Sequence, residues 1–149
     1  MKGETEMKIK VILMCVMVAL LAAVSACSSA VALNVTCDDF VKSQHINKEV
    51  AVAVGDSFTV ALCSNPSTGF QWSESAQIGE QTILQQTDHQ VVPPEAKGNK
   101  SPAPGAAGKE TWTFKALEKG TTDVSMEYSR PWEGGEKSER TFKLTVTVR

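Results

Sequence analysis

The sequence predicts an all-β fold, an antiparallel β-sandwich of about seven short strands. Three observations carry that prediction. Apolar and polar residues alternate with period two through most of the chain, as in Trp112, Phe114 and Ala116 against Thr111, Thr113 and Lys115. Turn residues punctuate the alternation, at Gly55-Asp56, Asn65-Pro66-Ser67-Thr68-Gly69 and Glu118-Lys119-Gly120. No stretch carries a convincing helical stripe.

Residues 1–26 are set apart from the fold as a signal peptide of lipoprotein type. Lys2, Lys8 and Lys10 precede an apolar run from Val11 to Val24, too short to span a bilayer comfortably. Val24-Ser25-Ala26-Cys27 then resembles a bacterial lipobox, in which Cys27 is lipidated and becomes the first mature residue. The alternative is ordinary cleavage near Ala26, Ala30 or Ala32. Residues 27–32 would be a short tether, and 33–149 a single domain. The expected location is the cell envelope, the periplasm or the exterior.

Within that domain the first strand is expected at about 33–40, with a second segment at 50–54 placing Val50, Val52 and Val54 on one face. Phe58, Val60 and Leu62 mark a strand at 57–63, and Phe70 and Trp72 one at 70–75. Ile83-Leu84 open a strand at 83–91, whereas 76–82 is ambiguous. Strands follow at 109–117, at 121–128 around Val124, Met126 and Tyr128, and at 139–148 around Phe142, Leu144, Val146 and Val148. Strands that alternate in direction send three connections to one end: 64–69, 93–108 and 129–135. All three are rich in Pro, Gly or Asn, and loops gathered at one end of a rigid sandwich carry binding function. Trp132 sits in the third, between Pro131 and Glu133-Gly134-Gly135, and is expected to be exposed, whereas Trp72 and Trp112 belong to the core.

Other classes find little support. The net charge is −2, and Lys and Arg form no basic stripe, which argues against nucleic acid. With Cys15 in the signal and Cys27 lipidated, Cys37 and Cys63 remain as a disulfide pair in an exported domain. The competing role for Cys63, a nucleophile, needs a base, and His45 and His89 stand in no recognisable motif. Two cysteines are too few for structural zinc. No convergent acid, base and nucleophile set is visible, so the chain reads as a binding protein without catalytic residue, metal or cofactor.

The three loops also carry a resemblance. Asn65-Pro66-Ser67-Thr68-Gly69-Phe70, then Gly105-Ala106-Ala107-Gly108 ahead of Thr111-Trp112-Thr113-Phe114, then Arg130-Pro131-Trp132-Glu133 resemble, in order, the motifs of chagasin-type inhibitors of cysteine peptidases. The usual forms are Asn-Pro-Thr-Thr-Gly-Tyr/Phe, Gly-x-Gly-Gly and Arg-Pro-Trp. Ser67 here replaces a Thr, and Ala107 replaces the first Gly of the Gly-Gly pair, where a methyl restricts φ. The resemblance spans about Val50 to Val148. It implies an immunoglobulin-like sandwich and a monomer that reversibly inhibits papain-like cysteine peptidases by filling the cleft with a wedge of three loops. Thr68 would approach the catalytic cysteine, and Arg130 and Glu133 would lie at the rim. The alternative is an immunoglobulin-like adhesion or carbohydrate-binding module, with Trp132 as a sugar-stacking platform.

Overall fold

Where alternation is strongest the backbone is extended and every second side chain enters one core. The computed structural model describes residues 31–94, 101–103 and 105–149. Its strands are β1 (Val31–Val35), β2 (His45–Val52), β3 (Ser57–Ser64), β4 (Gln71–Trp72), β5 (Gln77–Ile78), β6 (Leu84–Val92), β7 (Gly108–Ala116), β8 (Gly120–Ser129) and β9 (Arg140–Val148), with one α-helix among the described residues, α1 (Cys37–Lys42). One sheet has the order β1-β3-β7-β6 and the other β2-β9-β8-β4, with β5 also paired to β8. Phe58, Val60 and Leu62 of the first sheet, with Trp112 and Phe114, bury in the same core as Val124, Met126, Phe142 and Leu144 of the second. Each such side chain contributes roughly 1.5–3 kcal/mol by leaving water. Trp72 and Trp112 meet edge-on, ring centroids 6.4 Å apart, as the quadrupoles of two indoles favour.

The sheets are mixed where antiparallel ones were expected. β3–β7–β6 and β9–β8–β4 are antiparallel, but β1 runs parallel to β3 and β2 parallel to β9 at the sheet edges. The N-terminal segment therefore crosses from one sheet to the other. Strand pairing begins at Val31, inside the expected tether. Residues 37–40, expected to be extended, are helical. Thr36 caps α1: its Oγ1 accepts from Asp39 N–H at 3.3 Å, and its own N–H donates to Asp39 Oδ2 at 2.9 Å. The Thr36 hydroxyl also donates to Asp39 Oδ2 at 2.7 Å, and this bond, followed by that from the Thr36 N–H, holds the Asp39 carboxyl below the usual aspartate range. Phe40 turns inward against Trp72, centroids 5.4 Å apart. β2 starts at His45 rather than near Val50, because pairing with β9 from His45↔Thr141 to Val52↔Val148 needs no apolar alternation on an exposed edge. Val54, assigned with Val50 and Val52, lies beyond the strand and is exposed. The expected strand at 70–75 shortens to Gln71–Trp72, and part of the ambiguous 76–82 segment becomes β5.

Strand direction places the loops. β3, β6 and β8 run toward one end, and β4, β7 and β9 run away from it. The connections after β3, β6 and β8 therefore emerge together. β1 ends and β2 begins at that same end, so α1 lies across it as well. Cys37 of α1 is disulfide-bonded to Cys63 of β3, with Cα atoms 5.1 Å apart. Closing that loop stabilises the fold by about 3 kcal/mol on a chain-entropy model. The signal segment, Cys27 and most of the tether lie outside the described residues.

Candidate functional site

The first loop, 64–70, is organised around Asn65. Pro66–Thr68 wind one turn of 3-10 helix, started by the fixed φ of Pro66. Thr68 N–H and Oγ1 both donate to the Asn65 carbonyl, at 3.1 and 2.7 Å. Ser67 Oγ donates to Asn65 Oδ1 at 2.6 Å, so the hydroxyl that replaces a threonine is used within the loop. Asn65 N–H donates to the Tyr128 hydroxyl at 2.9 Å, tying the loop to the core. Gly69 closes the turn at φ +79°, a left-handed conformation that favours glycine. Pro66, Ser67 and Thr68 remain exposed.

The other two loops lean on the first. Asn65 Nδ2 donates to the Gly105 carbonyl of the second loop at 2.9 Å. The Trp132 indole of the third covers Gly69 so closely that a Cβ there would sit 2.7 Å from Trp132 Cη2. Trp132 is nonetheless 51% exposed, as expected, while Trp72 and Trp112 are buried. In the second loop, Gly108 is the position that needs glycine, since a Cβ would strike the Val92 carbonyl oxygen. Ala107 replaces a motif glycine without strain: it is exposed, and its φ lies outside the left-handed region. Ala106 N–H donates to the Ala103 carbonyl at 3.0 Å. Residues 95–100 and Pro104 of this loop lie outside the described residues.

Two motif residues support the surface from beneath. Phe70 is buried and stacks on Tyr128, centroids 5.4 Å apart. The Arg130 guanidinium carbon lies 4.5 Å from the Phe70 ring centre and 5.8 Å from that of Trp132. Arg130 is half-buried, a brace between two aromatic rings rather than a rim charge. Glu133 is exposed. Pro131 is exposed beside it.

Sequence reasoning missed several supports. Lys137 Nζ donates to the carbonyls of Arg130 and Trp132, at 2.5 and 3.1 Å, clamping the third loop. Buried Glu110 accepts from Ser64 Oγ at 2.7 Å and from Trp72 N–H at 3.4 Å, and its other oxygen lies 3.0 Å from His89 Nε2. His89 stacks on Trp112, centroids 4.8 Å apart. A signal for Glu110 was present: it shares the inward parity of Trp112, Phe114 and Ala116 on β7. Nothing local marked Lys137, whose partners are set by the loop's return path.

The family model described as chagasin family peptidase inhibitor matches residues 51–146. Chagasin from Trypanosoma cruzi is 30% identical over 110 residues, covering 70% of this chain and 92% of that protein. Amoebiasin-2 from Entamoeba histolytica is 29% identical over 98 residues, covering 66% of this chain and 75% of that protein. The fold is also similar to the crystal structure of a cysteine protease inhibitor, EhICP2, from Entamoeba histolytica, with a TM-score of 0.59 at 21% identity over 81% of this chain and 98% of that one. The matched span contains all three loops and most of both sheets, and the chain belongs to the chagasin family of peptidase inhibitors.

Proposed function

We propose that the three-loop end enters the active-site cleft of papain-like cysteine peptidases and blocks it reversibly. As a member of an inhibitor family the chain is not an enzyme. The observation that carries the reading is the direct linkage of the three motif loops into one exposed surface, through Asn65 to Gly105 and Gly69 to Trp132. Loops held by their own hydrogen bonds lose little conformational freedom on binding, so more of the contact energy appears as affinity. The turn at Pro66–Thr68 also disfavours cleavage. It is wound rather than extended, and its amides are bonded to its own carbonyls. Its tip carries no charge, so entering a cleft costs little desolvation.

The test is a titration of papain with the purified protein. Reversible inhibition at nanomolar to micromolar concentration is expected, with serine peptidases unaffected. No inhibition of several papain-like peptidases by folded protein at tens of micromolar contradicts the reading. We also retain the export reading, supported by the Cys37–Cys63 bond, since disulfides persist in oxidising compartments. Protein purified from the cell envelope should have the intact mass of a chain cleaved before Cys27 and carrying lipid. An intact mass that still includes residues 1–26 contradicts export by this signal.

A further inference from the structure

We propose that α1 is a fourth contact element, which packs Val41 against the rim of the target's cleft and sets which papain-like peptidases are held tightly. This rests on the proposed function and deepens it. α1 lies across the same end of the sandwich as the three loops, because β1 ends and β2 begins there. It lies outside the span matched by the family, 51–146.

Val41 is 83% exposed, the most exposed large apolar side chain among the described residues. The helix that presents it is firmly held. Thr36 and Asp39 cap it, Phe40 is buried beneath it, and Cys37 ties it to β3 two residues before Asn65. A rigid support of this kind lets an exposed apolar group add affinity with little ordering cost.

A cavity of about 360 Å³ separates α1 from the loops, with Cys37, Val41, Thr68, Phe70, Ala107 and Arg140 among its walls. Thr68 and Ala107 are exposed residues of the first and second loops. A peptidase that covers Thr68 therefore also lies over the mouth of this cavity, next to Val41. The occupant that fits is an apolar side chain from the peptidase surface beside its cleft. A bilayer fits less well, because Val41 is a single apolar group flanked by exposed Asp38 and Lys42.

The experiment compares the full chain with Val41→Ala and Val41→Asp against a panel of papain-like peptidases, with thermal melts and size-exclusion chromatography alongside. Val41→Asp should raise the inhibition constant about ten-fold for at least one peptidase and by unequal factors across the panel. Val41→Ala should do so less, and both should melt with the unchanged chain. Inhibition constants within about two-fold of the unchanged chain for every peptidase overturn the α1 contact and leave the three-loop reading intact. If the unchanged chain inhibits none of them, both readings fall. A change of oligomeric state with unaltered inhibition makes α1 a self-association surface and overturns the proposal.

Discussion

Trp112→Ala is expected to destabilise the domain by about 3–5 kcal/mol, the range for truncating a core tryptophan, which is enough to unfold a marginal domain. Trp112 is fully buried between the sheets. Three contacts end with it. Its edge-on packing with Trp72 is lost, its Nε1–H no longer donates to the Glu74 carbonyl at 3.1 Å, and His89 loses the ring it stacks on. The last loss spreads. His89 is the partner of Glu110, and Glu110 holds Ser64 and the Trp72 amide at the base of the first loop. Urea unfolding of the variant beside the unchanged protein reads the effect. A midpoint close to that of the unchanged protein would show that Trp112 is not central to the core.

What the sequence showed follows from what kind of interaction sets each element. Strands β3, β7, β8 and β9 bury one face, so burial writes itself into every second residue and their approximate positions were legible. The loops were legible because their backbone needs particular residues: a fixed φ at Pro66, and a positive φ at Gly69. α1 was not, since six residues are too few for helical periodicity to emerge and Thr36-x-x-Asp39 was its only local mark. β2 was placed too late because an edge strand held by backbone pairing can carry Asn47, Lys48 and Glu49 in solvent. The supports of the site were hidden for another reason. Tyr128 and Glu110 act across long sequence separations, so their partners exist only once the sandwich has closed, and Lys137 reaches back to Arg130 and Trp132 only once the third loop has folded over.

Trp132→Ala should cost about 2 kcal/mol of peptidase binding, roughly thirty-fold in the inhibition constant, while leaving the melting temperature nearly unchanged. The half-exposed indole can lose an interface contact without opening the core. Gly69→Ala should impair inhibition through the same residue. The added methyl meets the Trp132 ring at 2.7 Å, so the indole must leave its position, and the φ of +79° adds a strain of about 1 kcal/mol. The double variant separates the two effects. With the indole gone, the methyl has nothing to displace, and only the strain remains. The combined loss should therefore fall well short of the sum of the two single losses, as expected for residues in contact. Losses that add would mean that Gly69 and Trp132 act independently, and that the packing of one on the other does not hold the tryptophan in place for binding.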